Sequence, residues 1–301
     1  MPVALVVDES AEDRAKIEAT LQPISDLKLQ YVGNVSEALQ SIEASKPDLV
    51  IAQLELPRMD GLDLLVQLAK DHCSLPVVLI TDHVSPKIVV TGLRLGAATY
   101  VPKNQIDTFL YEAVESLLQV CRNAQVSDAN LPKPLGHGEL VFSVGNDAEM
   151  IPTIIGYVQN LATVVGLCDD SSVLRVCIAV EEALRNAMFH GNLEITSEVR
   201  EGDPEIYEAM LNHRLAHAPW DTRKLHIRFH IDENLGTFTI RDEGPGFDPT
   251  KLPDPTDPAN LDKVSGRGLL LIRTFMDEVH FNRTGNEITM IKRRAAAEEA
   301  A

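Results

Sequence analysis

Three short runs of uninterrupted apolar residues constrain this chain more than any other feature: Val3-Ala4-Leu5-Val6-Val7, Leu49-Val50-Ile51-Ala52 and Val77-Val78-Leu79-Ile80. A strand with no polar face needs cover on both sides, which a sheet flanked by helices supplies. The runs alternate with segments of helical period, so the first half is predicted to be a series of βα units around a parallel sheet. Such sheets gather functional side chains at the carboxyl ends of their strands. Asp8-Glu9 follows the first run, Thr81 the third, and Lys103 follows Tyr100-Val101-Pro102. These residues form the first candidate pocket.

A length of 301 residues points to two domains, each long enough to bury a core. The join is expected between Arg122 and Gly138, where Pro132-Lys133-Pro134 and Gly136-His137-Gly138 have the composition of a semi-rigid linker. The predicted division is 1–122, a linker at 123–138, a second domain at 139–294 and a tail at 295–301.

The second half carries three motifs in order. Glu182 and Asn186 sit four apart in a segment of helical apolar period, residues 176–189. Such a pair shares one helix face, aiming a carboxylate and an amide into the same space. The carboxylate can orient or deprotonate a hydroxyl, and the amide oxygen is a hard ligand suited to Mg2+. Alone, the pair is commonly a solvated face. Next, Gly236-Thr237-Phe238-Thr239-Ile240-Arg241 reads as a strand running into Asp242, followed by Gly244-Pro245-Gly246. Glycines let backbone approach a flat ligand, and a buried strand-end carboxylate can accept from an exocyclic amine. After a Pro- and Asp-rich stretch at 247–265, read as a long mobile loop, Gly266-Arg267-Gly268 opens an apolar helix from Leu269 to Met276. Glycines at a helix start present backbone N–H groups to an anion such as phosphate.

Together these residues resemble the N, G1 and G2 boxes of the Bergerat-fold (GHKL) ATP-binding superfamily, over about residues 139–294. More narrowly, Glu182-Ala183-Leu184-Arg185-Asn186-Ala187 with His190-Gly191, and Gly268 to Phe275-Met276-Asp277-Glu278-Val279, resemble the anti-sigma factor serine/threonine kinases of bacterial partner-switching systems. The resemblance implies an α/β sandwich with a mixed sheet, and ATP and Mg2+ as cofactors. It makes Glu182 the general base, Asn186 the Mg2+ ligand and Asp242 the adenine contact. Gly244, Gly246, Gly266 and Gly268 become the loop glycines, with Arg267 and Leu269 among the nucleotide contacts and Thr289, in Gly285-Asn286-Glu287-Ile288-Thr289-Met290, near the adenine pocket. The implied partners are an anti-sigma factor antagonist of the STAS type, a sigma factor, and a second copy of the chain. A histidine kinase would need a phosphorylatable His on a helix ahead of the ATP domain. Residues 148–165 hold none and His137 falls in the linker, so autophosphorylation on His is disfavoured.

In the first half, Asp8-Glu9, Leu56-Pro57-Arg58-Met59-Asp60-Gly61, Thr81 and Tyr100-Val101-Pro102-Lys103 resemble the receiver domain of two-component response regulators, over about residues 2–120. This implies a doubly wound, parallel, five-stranded (βα)5 flavodoxin-like fold. The family's phosphoacceptor aspartate lies four residues before the Pro of LPxMDG, where this chain has Gln53. An amide is a poor nucleophile and a weaker Mg2+ ligand than a carboxylate, so phosphoryl transfer is expected to fail. Glu55 lies past the expected strand end and Asp48 before it, so neither is placed to substitute. The expectation is a degenerate receiver serving as scaffold, dimerisation surface or partner dock. Were Gln53 an introduced substitution, the parent would be a phosphorylation-controlled kinase.

The remaining features narrow the partners. The net charge of −18 is shared, about −7 up to Gln125 and about −11 after it, which argues against direct nucleic-acid contact. Lys292-Arg293-Arg294 reads as a solvated terminus. Cys73, Cys121, Cys168 and Cys177 lack CxxC or zinc spacing. With no signal-peptide pattern and no long apolar span, they read as buried reduced thiols in a cytoplasmic, non-membrane protein. Residues 194–224 exceed what nucleotide chemistry needs. Within them Asp203-Pro204 is predicted to cap and start a helix to about His217. His213 and His217 stand at i, i+4 without an evident third ligand, and Trp220 reads as a packing anchor. The segment is a candidate for partner specificity. Two functional classes follow: a protein serine/threonine kinase, or an ATP-gated module that sequesters a regulator with little turnover. Glu182 favours the first, because a pure binder has no need of a base.

Overall fold

The computed structural model describes residues 1–56, 59–70, 75–82, 85–126, 136–251 and 267–294. It separates into two units, Met1–Arg122 and Asn123–Ala301.

The first unit alternates strand and helix throughout: β1 Val3–Val7, α1 Ala11–Leu21, β2 Lys28–Val32, α2 Val35–Ser45, β3 Leu49–Gln53, α3 Gly61–Lys70, β4 Val77–Thr81, α4 Pro86–Arg94, β5 Thr99–Pro102 and α5 Ile106–Val126. The five strands are parallel in the order β2-β1-β3-β4-β5. The three apolar runs are β1, β3 and β4, the centre of the sheet, where β3 and β4 are buried at every position. Edge strand β2 needs no such cover and keeps Lys28 and Gln30. Helix starts follow local chemistry: Ser10 Oγ accepts from Asp13 N–H at 3.2 Å and Asn34 Oδ1 from Glu37 N–H at 3.0 Å. Pro57 and Arg58 of the LPRMDG segment lie outside the described residues. Gly61 packs against the end of β3, where a Cβ would lie 2.9 Å from the Gln53 carbonyl.

The ends of the expected linker belong to ordered elements. Residues 123–126 continue α5, since nothing between Arg122 and Val126 breaks a helix. His137 and Gly138 open β6, His137–Val144, paired with Asp232 and Ile231. Gly138 is tolerated there because the helix packed above leaves no room for a side chain: a Cβ would lie 2.6 Å from Leu161 Cδ1. Pro132 to Pro134 lie outside the described residues, as does the tail 295–301.

The second unit continues with α6 Met150–Val165, α7 Asp170–Arg185 and a π-helical turn Asn186–Asn192. Then come α8 Ser197–Glu201, α9 Pro204–Ala216, β7 Leu225–Asp232, β8 Leu235–Arg241, α10 Arg267–Phe275, β9 Glu278–Phe281 and β10 Glu287–Arg293. The α9 helix starts as its sequence predicts, with Asp203 Oδ1 accepting from Glu205 N–H at 2.9 Å. The sheet order is β6-β7-β8-β10-β9, and every neighbouring pair is antiparallel rather than mixed. Four helices, α6 to α9, and the π turn lie between β6 and β7, which pair antiparallel. Among the described residues α10 lies between β8 and β9, and the β9–β10 hairpin inserts β10 between these two strands. Phe229, Phe238, Ile227, Ile240 and Met290 form the sheet's buried face, against which α6 and α7 pack, with α10 against α7. Arg293 and Arg294 are exposed, as a solvated terminus would be, and Lys292 is half-buried. Lys292 Nζ donates to the Phe275 carbonyl at 3.1 Å, and Arg293 Nη2 pairs with Glu278 Oε1 at 2.5 Å, offsetting the acids that follow α10. Among the described residues, no helix is long and apolar enough to cross a membrane.

Candidate functional site

The site in the second unit begins where α7 ends. Residues Val176 to Val180 are buried under the sheet and neighbouring helices, anchoring the turn that follows. Glu181 is buried, its Oε1 accepting from Arg185 Nε at 3.0 Å, while Glu182 is half-buried beside it. At Asn186 the helix widens, and the Leu193 N–H bonds the Met188 carbonyl, five residues back, at 2.9 Å. Turns of this kind recur at functional sites. The first turn of α10 faces them. A Cβ built on Gly268 would lie 2.7 Å from Glu182 Oε2 and 3.4 Å from Asn186 Nδ2. The helix carboxylate, the amide and the glycine of the third motif therefore meet. Arg267 and Leu269 flank Gly268 and are half-buried. Gly266 lies outside the described residues, together with 252–265.

The second motif supplies the other wall. Asp242 follows β8 and is 7% exposed. Its Oδ1 accepts from Gly244 N–H at 2.8 Å, its N–H donates to the Asn286 carbonyl at 3.0 Å, and Asn286 Nδ2 donates to its carbonyl at 3.0 Å. Burial raises the Asp242 pKa above the usual carboxylate range, outweighing the Gly244 amide and the charge of Arg223. Gly191, from the π turn, lies against this carboxylate: a Cβ there would sit 2.6 Å from Oδ2. A Cβ on Gly244 would run into the Gly191 carbonyl. Gly246 has φ +72°, a left-handed conformation that favours glycine, and a Cβ there would meet the Thr284 carbonyl. Gly191 and Gly244 are bare because they pack against each other and the Asp242 carboxylate, and Gly268 because it packs against Glu182 and Asn186.

Thr289 is not brought to this wall. It pairs with Thr239 across the β8–β10 ladder, the two Oγ1 atoms 3.3 Å apart. Side chains alternate along a strand, and Ile288 and Met290 take the helix-facing side that Ile240 and Asp242 share.

In the first unit, Asp8, Gln53, Thr81 and Lys103 stand at the carboxyl ends of β1, β3, β4 and β5, as the parallel sheet requires. Glu9 is exposed. Asp8 is 1% exposed, its Oδ1 accepting from Ser10 N–H at 2.8 Å, and burial raises its pKa despite that bond and the charge of Lys103. Lys103 Nζ meets Asp13 Oδ2 at 2.8 Å and Asp82 Oδ2 at 3.0 Å, and these two acids hold its pKa up against burial. Gln53 is 8% exposed, and its Oε1 is buried without a described partner. Glu55 is nearer than its position past the strand suggested: its Oε1 accepts from the Thr81 hydroxyl at 2.9 Å. Asp48, in contrast, accepts from Val3 N–H at 2.8 Å at the other end of the sheet.

The sequence did not single out Asn192, which is fully buried and accepts from Glu243 N–H at 2.8 Å, nor Asn286, Asp13 or Asp82. His213 and His217 stack ring on ring at 4.2 Å, and no group of three metal-ligating side chains occurs among the described residues. Burial raises the pKa of the Cys121 and Cys168 thiols to about 11 and that of Cys177 further; Cys73 lies outside the described residues.

Residues 144–292 match the family model of the histidine kinase-like ATPase domain, and residues 4–115 that of the response regulator receiver domain. The chain is 32% identical over 101 residues to the DNA-binding transcriptional regulator NtrC of Escherichia coli, covering 34% of this chain and 21% of that protein. It is 34% identical over 122 residues to the protein-glutamate methylesterase/protein-glutamine glutaminase of group 3 operon from Cereibacter sphaeroides, covering 39% of this chain and 32% of that one. The matched relatives are thus spanned over only 21% and 32% of their own length. Among solved structures, the receiver domain of Francisella response regulator 1452 is similar with a TM-score of 0.36 and 25% identity, covering 39% of this chain and 96% of that one. The response regulator domain of Thermotoga maritima CheB is similar with a TM-score of 0.37 and 22% identity, covering 40% and 97%. The chain joins a response regulator receiver domain to a histidine kinase-like ATPase domain of the GHKL type, a combination that marks an ATP-binding signalling protein.

Proposed function

We propose that the second unit is an ATP-dependent protein serine/threonine kinase of the anti-sigma type. Its substrate is a small STAS-type antagonist protein, its second ligand a sigma factor, and the first unit is a degenerate receiver that acts as scaffold or dock. The observation that carries this reading is the convergence of Glu182, Asn186 and Gly268, which puts a carboxylate where the phosphate-side backbone is bare. A module that only gates binding has no need of that carboxylate.

The residues present fit the nucleotide and the metal. On this reading Asp242 receives the adenine amine, the glycines at 191, 244 and 246 let the backbone close tightly around that carboxylate and its turn, and the N-terminal backbone of α10 meets the phosphates. The Asn186 amide oxygen would hold Mg2+, which neutralises phosphate charge when bound. Glu182 Oε2 takes the proton of the substrate hydroxyl as its oxygen attacks the γ-phosphorus, and ADP leaves. Catalysis on this account is mainly positioning and charge.

The test is incubation with γ-labelled ATP, Mg2+ and lysate of the source organism, with Glu182→Ala alongside. A labelled small protein is expected with the wild type and none with the variant, whose ATP binding is retained. Undiminished labelling by Glu182→Ala removes the assigned base. ATP binding without any labelled protein replaces the kinase with the sequestering module.

A further inference from the structure

Residues 194–224 leave the body of the second unit and return to it at one buried amide. Asn192 Oδ1 accepts from Glu243 N–H at 2.8 Å, inside the turn that carries Asp242. Asn192 Nδ2 donates to Asn146 Oδ1 at 2.8 Å, and the Asn192 carbonyl accepts from Arg223 Nη1 at 2.7 Å. Asn146 passes the connection on, its Nδ2 donating to the Trp220 carbonyl at 2.8 Å. Arg223 Nη1 also meets Glu194 Oε1 at 2.7 Å, joining the two ends of the excursion. Arg214, on α9, donates to the Leu193 carbonyl and lies over the Trp220 ring at 5.1 Å.

Helix α9 has no buried residue, and Ile206 and Leu215 are 57% and 41% exposed. Its packed face is a shallow one, the half-buried stripe Tyr207, Met210, Leu211 and Arg214, so the polar ties help set its posture. A buried amide bonded on both sides is directional: the Glu243 N–H fixes the Asn192 amide plane, the plane fixes Asn146, and Asn146 fixes the Trp220 carbonyl.

Resting on the nucleotide site proposed above, we infer that Asn192 is the positioning residue that couples this site to the α8–α9 excursion. A nucleotide that orders the Asp242-Glu243-Gly244 turn also orders α9. Coupling of this kind is reciprocal, so a partner held by α9 tightens the nucleotide by the same factor.

Hydrogen exchange of the full chain, with and without a non-hydrolysable ATP analogue, tests this. In the wild type the analogue is expected to slow exchange both at 242–247 and at 204–216. Asn146→Ala leaves the Asn192 to Glu243 bond in place, so it keeps analogue affinity within about twofold and protection at 242–247 while losing the response at 204–216. Asn192→Ala loses that response and about tenfold in affinity, the effect of one buried hydrogen bond. Protection at 242–247 with no response at 204–216 in the wild type overturns the coupling and leaves the nucleotide site standing. A response at 204–216 that survives both Asn146→Ala and Asn192→Ala overturns the route through Asn192. An analogue that does not bind overturns the nucleotide site itself, and the coupling with it.

Discussion

Each unit places a buried aspartate at a strand end, Asp8 after β1 and Asp242 after β8, and in both burial raises the carboxyl pKa. Their surroundings differ. Around Asp8 the pocket is closed by its own side chains: Lys103 is held by Asp13 and Asp82, and Thr81 by Glu55. Around Asp242 it is bounded by positions that carry no side chain, Gly191 and Gly244, with Gly268 against Glu182. In the first, charged side chains pair across the pocket while Asp8 Oδ2 and Gln53 Oε1 stay buried without a described partner; in the second, bare backbone closes directly on the carboxylate. A retained aspartate therefore says little about activity until its neighbours are known.

The largest effect should come from disturbing the close packing around Asp242. Gly191→Val pushes carbon into the Asp242 carboxylate, and overpacking of about 1–3 kcal/mol translates into a loss of nucleotide affinity of roughly 10- to 100-fold, measured by calorimetry. Affinity equal to the wild type would mean that Asp242 is not a ligand contact.

Next in size, Asp242→Asn should separate binding from stability. The folded-state pKa of Asp242 lies above its unfolded value, so ionisation penalises the folded state at neutral pH, and the penalty disappears below the unfolded pKa near 4. The variant is expected to bind nucleotide more weakly yet to melt at or above the wild-type temperature at pH 7. That advantage should fade as the pH falls below about 4. A variant that melts lower at pH 7 would show that the ionised carboxylate is compensated in the free protein.

The closed pocket predicts silence. Incubation of the wild type with acetyl phosphate and Mg2+ should add no phosphoryl group by intact mass, because Gln53 offers no carboxylate. Gln53→Asp, which restores a carboxylate at the end of β3, should gain one. Phosphorylation of the wild type would end the contrast between the two sites.

The smallest effect lies outside both pockets. Asp169 caps α7, accepting from Ser172 N–H at 3.0 Å and from the Ser171 and Ser172 hydroxyls at 2.6 and 2.8 Å. Partial burial opposes its ionisation, but these bonds prevail and lower its pKa to about 2. Its stabilisation is present above the unfolded pKa near 4 and lost as the pH falls through about 2. Asp169→Ala should cost about 1 kcal/mol at pH 6 in urea melts, with the gap closing toward pH 2.

What could be read from the sequence was local. β1, β3 and β4 announce themselves because a strand covered on both faces is apolar up to its functional carboxyl end. The Asp203-Pro204 start of α9 rests on chemistry within one turn. The motif residues Glu182, Asn186 and Asp242 are recognisable by type and spacing, although only the fold brings Gly268 to the first two. Features that depend on distant segments were not legible. Asn192 draws its role from Asn146, Arg223 and Glu243. The antiparallel order depends on β10 folding back over Asn282 to Gly285, and the reach of Glu55 to Thr81 on the turn after β3. Thr289 failed because its face of the strand, not its distance along it, decides what it touches.

The π turn at Asn186–Asn192 makes chain length itself a structural parameter. Its five-residue bonds accommodate one residue more than an α-turn would. Deleting a single residue between Asn186 and Gly191 would close the widened turn and let α7 continue as an ordinary helix. Gly191 would then no longer lie against Asp242, nor Asn192 reach Glu243, with no functional side chain removed. At this point of the chain, the count of residues matters as much as their identity.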